Sequence, residues 1–215
     1  MKKSFGVRRQ AGFSMIELLL VIAIIAIMSG IAVISARYLL PEMRANQAAY
    51  QVAGSMREAR MLAMSGNINV CMEFPADDRI RIGIWNINAG VSSCDDITAT
   101  ATLPAWVLDP SVTLEHGHVF LWNDSLTEAE PGLGAGSSII FGGTAVTPGD
   151  TPLKRRFVFT ADGFLTEYFD LNNPINGTIY IGHPNSELAR AVTILGATGR
   201  IHSLRWKNGA WLPVG

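Results

Sequence analysis

The sequence has 215 residues, of which 48% are hydrophobic, and its formal net charge is −1. The length fits one folded domain plus one long additional segment, and the near-neutral charge excludes bulk electrostatic attraction to nucleic acid. Only one apolar run is long enough to cross a bilayer, which excludes a multi-span membrane protein.

That apolar run is the first element of the chain. Residues 13–34 number 22 and contain one charged side chain, Glu17. An α-helix needs about 20 residues to span about 30 Å of hydrocarbon. Four basic residues and no acid precede the run, namely Lys2, Lys3, Arg8 and Arg9. This bias keeps an N-terminus cytoplasmic, so we predict one membrane helix with the rest of the chain outside the cytoplasm.

The small residue next to this run lies on its N-terminal side. A secretory signal would place its cleavage site after a shorter apolar region, whereas Gly12 precedes the run and is followed by Phe13 and, at the fifth position after Gly12, Glu17. This pattern resembles the N-terminus of type IV prepilins and type II secretion pseudopilins, which have a short basic leader, then Gly and Phe, and this Glu at the start of a long apolar helix. A plain signal anchor, with Glu17 near headgroup water, is the alternative.

The resemblance implies specific chemistry at these three residues. Prepilin peptidase would cleave after Gly12, and the freed amine of Phe13 would be N-methylated. Glu17 costs roughly 2.5–3.5 kcal/mol to bury in a bilayer even on a lenient scale, and in the family it pairs with the amine of a neighbouring subunit. The implied partners are other pilin or pseudopilin subunits and an inner-membrane assembly platform, and the implied location is the bacterial inner membrane and then a pilus or pseudopilus.

The helical pattern continues beyond the apolar run as an amphipathic segment. Apolar residues recur at spacings of three and four, at Ala45, Ala49, Val52, Met56, Ala59 and Ala63. Pro41 predicts a kink or local break, and Ser65, Gly66 and Asn67 predict the helix end. We therefore divide the chain into a leader (1–12), a membrane half of the helix (13–35), an amphipathic half (36–66) and a head domain (67–215).

After Gly66 the hydrophobic period changes to two. Alternation over 68–74 and 80–84, around a turn at 75–78, predicts a β-hairpin. Further strands are predicted at 118–122, 156–160, 178–181, 191–195 and 201–206, the last two joined by a turn at 196–199. The predicted fold class is α+β, a long N-terminal helical spine packed on an antiparallel β-sheet head.

The head resembles the GspH/FimT group of minor pilins and pseudopilins. The resemblance rests on three stretches, 69–71 after the helix, 157–163 in the later half, and 192–194 running to 199–201. Residues 91–151 form an acidic insertion with no matching motif. The two cysteines, Cys71 and Cys94, lie in the exported part, where oxidation is permitted, and we predict a disulfide between them. We also predict a loop at residues 94–96.

The sequence offers few groups for catalysis. His116 and His118 alternate on a predicted strand beside Glu115, which is a minimal metal-ligand spacing, but a surface strand pair is the favoured interpretation. Residues 95–96 and 170–173 have side-chain oxygens that could bind calcium, but their spacing is not that of an EF-hand loop. We therefore predict turns at these positions. The glycines at 132, 134 and 136 lack the Lys-Ser/Thr of a phosphate loop and predict a linker. We predict no enzyme activity, no metal and no cofactor.

Two functional hypotheses follow from these patterns. The first is a structural subunit that assembles through its N-terminal helix into, or at the tip of, a filament. The second is a DNA-binding minor pilin for uptake, with Arg200, Arg205 and Lys207 interleaved with Trp206 and Trp211. DNA-binding members carry a Gly-Arg-x-Arg pattern, whereas this chain has His202 where the second Arg would be, so a terminal strand with solvated basic residues is favoured.

Overall fold

The long helix α1 (Met15–Gly66) is the first element of the structure and runs without interruption through Gly30 and Pro41. The computed structural model describes residues 14–86, 93–96, 111–122, 126–131, 133–134, 136–142, 144–146, 156–167, 170–184 and 186–214. The predictions for the leader, Gly12 and Phe13 lie outside these residues. The chain divides into two compact units, Met1–Pro41 and Glu42–Gly215, so the second half of α1 belongs to the same unit as the head.

In the first unit, α1 is apolar over Met15–Ala32. This 18-residue stretch is long and apolar enough to cross a membrane, and none of it is buried within the protein. The first turn of the helix carries Glu17, and the carbonyl of Ser14 accepts hydrogen bonds from the backbone N–H groups of Glu17 and Leu18. The helix predicted at the start of the chain is thus an α-helix whose apolar surface is exposed.

In the second unit, α1 buries the predicted apolar stripe. All six predicted positions are at most 1% exposed: Ala45, Ala49, Val52, Met56, Ala59 and Ala63. The helix ends at Gly66 because Asn67 adopts a left-handed conformation, with φ of 49°. The backbone N–H of Ile68 then donates to the carbonyl of Ala63 at 3.1 Å, which satisfies one of the last helical acceptors.

Within the described residues, the head contains two antiparallel sheets, where the sequence predicted an antiparallel head without dividing it. In the part of the chain that the structure describes, sheet A has seven strands: β1 (Val70–Ala76), β2 (Arg79–Asn86), β3 (Ser93–Asp96), β4 (Ser111–Thr113), β8 (Arg156–Phe159), β9 (Leu165–Glu167) and β10 (Asp170–Pro174). Their order is β10-β9-β8-β1-β2-β3, with β4 also paired to β2. The hairpin predicted from the first alternating stretch is β1–β2, in which Met72 faces Ile82.

Sheet B likewise has seven strands among the described residues: β5 (Val119–Phe120), β6 (Ile139–Phe141), β7 (Thr144–Val146), β11 (Gly177–His183), β12 (Ser186–Leu195), β13 (Arg200–Lys207) and β14 (Ala210–Pro213). Their order is β14-β13-β12-β11-β6-β7, with β5 also paired to β11. The predicted C-terminal hairpin is β12–β13, with Ile194 opposite Ile201. The α+β prediction is confirmed.

Three predictions of local structure were wrong. The turn predicted at 170–173 is part of strand β10, because this stretch pairs with β9, although the backbone N–H of Asn172 donates to Asp170 Oδ1 as in an Asx turn. The strand predicted at 118–122 is reduced to Val119–Phe120, because Glu115, His116 and Gly117 form a turn in which His116 and Gly117 have φ of 59° and 73°. The loop predicted at 94–96 is strand β3, which pairs with β2 so that Asp95 faces Ile84. Pairing with an apolar partner strand outweighs the turn-like sequence of two consecutive aspartates.

Phenylalanine side chains join the two sheets beneath the helix. Phe141 of sheet B stacks on Phe157 of sheet A with ring centroids 3.7 Å apart, and Phe120 of sheet B meets Phe74 of sheet A edge-on at 5.3 Å. These rings lie in one buried cluster with the apolar stripe of α1. Aromatic pairs in such geometries contribute about 0.5–1.5 kcal/mol each beyond their buried area. The core therefore lies between the helix and both sheets.

Arg60 ties the helix to a turn in each sheet. Its guanidinium donates to three backbone carbonyls, those of Gly163 at 3.0 Å, Thr198 at 2.9 Å and Gly199 at 3.2 Å. Gly199 has φ of 64°, and a Cβ there would lie 2.2 Å from the Arg60 guanidinium carbon. Glycine at this position thus allows both the left-handed turn and the approach of the arginine.

Candidate functional site

The membrane half of α1 presents an apolar surface with one acid. Met15, Leu19 and Ile27 are 83%, 61% and 67% exposed, and Glu17 is exposed on the same segment. Exposed apolar area of this extent is not stable in water and requires lipid or other apolar helices. The segment can therefore insert into a bilayer or pack with helices of other molecules, and Glu17 is then the group that needs a partner.

The predicted disulfide involves two strands that flank β2. Cys71 is buried on β1, opposite Gly83, and is disulfide-bonded. Cys94 lies on β3, opposite Trp85. The side chain of Cys94 is outside the described residues, so the pairing stays a prediction. A Cys71–Cys94 bond would connect β1 to β3 across β2.

The basic residues of β13 do not form one patch. Arg205 Nη1 lies 3.5 Å from a carboxylate oxygen of Glu42 on α1. Arg200 and Lys207 are exposed at opposite ends of the strand. His202, on the same side of the strand as Arg200, is hydrogen-bonded to Glu130 at 2.8 Å. The three candidate DNA contacts are thus divided between two faces, and one of them is already paired.

The neighbouring tryptophans stabilise the β13–β14 hairpin. Trp206 and Trp211 face each other across the two strands with ring centroids 5.2 Å apart. Trp211 Nε1 donates to the carbonyl of Thr127 at 2.8 Å, and its ring lies 5.8 Å from that of Tyr180. Burial raises the pKa of Tyr180 to about 12. Trp211 is therefore held by the fold and is not presented as a free stacking surface for bases.

A buried arginine is the charged group that the sequence analysis missed. Arg190 on β12 is 1% exposed, and its Nε donates to Asn46 Oδ1 at 2.7 Å while Nη1 donates to the carbonyl of Ala189 at 2.9 Å. Its Nη2 lies 4.0 Å from Glu42, which also faces Arg205. Burial lowers the pKa of Arg190 and the Glu42 carboxylate opposes that effect. The sequence feature that could have revealed this buried charge is the single arginine within the mostly apolar stretch of residues 188–195.

The candidate metal pair is not assembled in the structure. His116 and His118 do not share a strand face, because both belong to the turn region before β5. His118 is buried, its Nδ1 is 3.1 Å from the carbonyl of Glu115, and its ring packs edge-on against His183 at 5.6 Å. Within the described residues, no group of three or more His, Cys, Asp or Glu side chains could hold a metal ion.

Comparison with protein families finds a match at the N-terminus. Residues 7–33 match the model of the prokaryotic N-terminal methylation motif. The chain carries this methylation motif. The match spans the basic leader residues Arg8 and Arg9, the predicted cleavage and methylation residues Gly12 and Phe13, and Glu17. It supports the predicted resemblance to type IV pilins and pseudopilins. A comparison with curated proteins finds no match.

Comparison with solved structures finds pilin-like proteins. The minor pseudopilin EpsH from the type 2 secretion system of Vibrio cholerae is 11% identical, with a TM-score of 0.42 over 75% of this chain and 97% of that chain. A second crystal structure of EpsH gives 12% identity and a TM-score of 0.44 over 81% of this chain and 99% of that chain. The type IV minor pilin FimU of Pseudomonas aeruginosa is 15% identical, with a TM-score of 0.40 over 78% of this chain and 92% of that chain.

Proposed function

We propose that this protein is a minor pilin or pseudopilin, a non-enzymatic subunit that assembles through its N-terminal helix into, or at the tip of, a type IV pilus or a type II secretion pseudopilus. Before assembly it is a single-pass protein of the inner membrane with its head outside the cytoplasm. Its partners are prepilin peptidase, the assembly platform and other subunits of the same kind.

The observation that carries the proposal is the methylation motif placed directly on an exposed apolar helix. Residues 7–33 supply the motif, and Met15–Ala32 is long and apolar enough to span a membrane and is not buried. An N-terminal amine freed after Gly12 would belong to Phe13, four residues before Glu17 in sequence. The helix is then an anchor in the bilayer and a packing surface in a filament.

The decisive experiment measures the mass of the N-terminal peptide of the mature protein. The full chain is produced in cells with and without prepilin peptidase, purified from membranes and analysed by peptide mass spectrometry. We expect an N-methylated Phe13 terminus only when the peptidase is present, and we expect Gly12→Val to block cleavage while Ala11→Val does not. An intact Met1 in peptidase-containing cells, or a terminus beyond Ile34, would contradict the proposal and favour a signal anchor or a secretory signal.

DNA uptake is not proposed as a second function. The basic residues that suggested it are split between two faces, Arg205 is paired with Glu42, and Trp211 is fixed by Thr127. The described contacts supply no continuous basic track with free aromatic rings, which sequence-independent DNA binding uses.

A further inference from the structure

A groove lies between the exposed face of α1 in the second unit and the β13–β14 hairpin. Its volume is about 400 Å³. The helix side is formed by Tyr50 and Arg57, and the strand side includes Arg200, Ile201 and Ser203. Tyr50, Arg57 and Arg200 are exposed, so the groove opens to solvent between two arginines.

The two arginines of the groove differ from the other arginines discussed above. Arg60, Arg190 and Arg205 bind carbonyls or carboxylates of the protein itself. Within the described part of the chain, the guanidinium groups of Arg57 and Arg200 have no hydrogen bond or ion pair. No described lining residue is acidic. The acid that contacts the groove residue His202 is Glu130, which already accepts hydrogen bonds from His202 and Thr193. The groove is therefore positively charged.

Two further features of this face are unexplained by the fold of one chain. The hydroxyl oxygen of Ser203 is buried and has no hydrogen-bond partner among the described residues. Gly54 lies in the middle of α1, one turn from both Tyr50 and Arg57, and nothing lies within 4 Å of the position that its Cβ would occupy. Glycine in a helix is less stable than alanine. Packing within the head does not require it, whereas close approach of another backbone would.

We propose that this groove binds an acidic segment of another protein. Carboxylates of the segment would pair with Arg57 and Arg200, its backbone would pass close to Gly54, and apolar side chains would contact Tyr50 and Ile201. The residues after the leader carry 13 basic and 18 acidic side chains, a formal charge of −5, so long-range repulsion acts far more strongly on a polyanion such as DNA than on a short acidic peptide, which carries few charges and contacts only the groove. The proposal concerns the folded head and does not rest on processing of the N-terminus.

The test uses the full chain in an uncharged detergent and a fluorescein-labelled peptide of alternating glutamate and leucine. Fluorescence anisotropy is measured at low and physiological salt, beside a peptide of the same length with glutamine in place of glutamate. We expect salt-sensitive binding of the glutamate peptide alone. The double variant Arg57→Gln/Arg200→Gln should bind it about tenfold more weakly, since two partly exposed ion pairs are lost.

Two controls separate the groove from general charge and from misfolding. Arg79→Gln/Lys207→Gln removes the same charge from exposed residues outside the groove and should leave peptide affinity unchanged. Gly54→Leu keeps both arginines and adds a side chain to open space, so we expect an unchanged or higher thermal midpoint together with weaker peptide binding. All variants are checked by thermal unfolding.

Three results would overturn the proposal. The first is equal affinity for the glutamate and glutamine peptides. The second is an equal loss of affinity in the groove and control double variants. The third is tighter binding of duplex DNA than of the peptide at the same salt concentration, abolished by the groove variant, which would make the groove a nucleic-acid site.

Discussion

At the scale of single residues, long polar side chains of α1 connect the helix to the head in addition to its small apolar ones. Alanines give close approach but bury little area each, so their positions alone do not determine how the helix is rotated on the sheets. Arg60 adds direction, because its planar guanidinium reaches carbonyls from a turn in each sheet. Asn46 and Glu42 do the same on the side of Arg190.

We therefore predict that Arg60→Ala lowers the free energy of unfolding of the head by about 2 kcal/mol, since hydrogen bonds to a charged group are lost. Arg60→Lys should recover less than half of that loss, because one ammonium group cannot reach all three carbonyls. Urea unfolding of the full chain in detergent, followed by circular dichroism, measures both. Arg57→Ala, one turn earlier and without a partner in the described residues, is the control and should change stability by less than about 0.5 kcal/mol. Similar values for the Arg57 and Arg60 variants would contradict this account.

His118 makes the stability of the head depend on pH. Burial lowers its pKa from the ordinary 6.5, and the neighbouring His183, His116 and Arg190 lower it further, whereas the carbonyl of Glu115 acts in the opposite direction. The unfolded chain thus binds a proton more readily than the folded one, so the contribution is complete above pH 6.5 and is lost as the pH falls from 6.5 towards the lowered value.

We predict that the wild-type head loses stability between neutral pH and pH 5 more steeply than a His118→Gln variant. Thermal unfolding at a series of pH values measures the slope. His202→Gln, which removes an imidazole bonded to Glu130, is the comparison for any general histidine effect. Parallel curves for wild type and His118→Gln would show that His118 does not carry the effect.

At the scale of elements, the spacing of hydrophobic residues correctly predicted those elements that nearby sequence determines. The apolar stripe of α1, the β1–β2 hairpin and the β12–β13 hairpin all follow from spacing alone, since one face of each is buried. The division into two sheets could not be predicted, because it depends on pairings between distant strands such as β1 with β8. The Glu42–Arg190–Arg205 cluster could not be predicted for the same reason, because it brings together residues from three elements that are distant in sequence.

The predicted disulfide belongs to this scale because it would link β1 to β3. We expect nonreducing peptide mapping of exported protein to recover Cys71 and Cys94 in one linked peptide pair. The double variant Cys71→Ser/Cys94→Ser should unfold with a free energy about 3 kcal/mol lower, as expected for a closed loop of this size. Membrane insertion, assayed by carbonate extraction, should be unchanged. Recovery of both cysteines as free thiols would contradict the pairing.

At the scale of the whole molecule, the two units have different requirements. The head buries its own core, whereas the apolar surface of Met15–Ala32 needs partners from outside the chain. In the bilayer those partners are lipids, and in the proposed assembly they are helices of other subunits. A carboxylate at position 17 is tolerated in both settings only if it is hydrated, protonated or paired.

We predict that Glu17→Val leaves N-terminal processing intact but reduces the amount of protein in sheared filaments or in the isolated assembly complex. The physical reason is that valine cannot pair with the amine of a neighbouring subunit. Immunoblots of the membrane and filament fractions measure the ratio, with Ile16→Val as a control that leaves the acid in place. Normal incorporation of the Glu17 variant would remove the role proposed for this residue.

The position of β1 in the middle of sheet A also sets the order in which this sheet can be completed. β2 follows β1 directly, but β8, which covers the other edge of β1, begins only at Arg156. If the chain crosses the membrane from its N-terminus onward, the β1–β2 hairpin can form first. The other edge of β1 then stays unpaired until the residues between β2 and β8 have also crossed. Such an edge is a template for pairing with other chains, and non-local strand pairing is slow. A chain that stops before Arg156 leaves this edge of β1 unpaired and is prone to aggregate. The last quarter of the sequence therefore determines when a newly made molecule can no longer pair with other chains through β1.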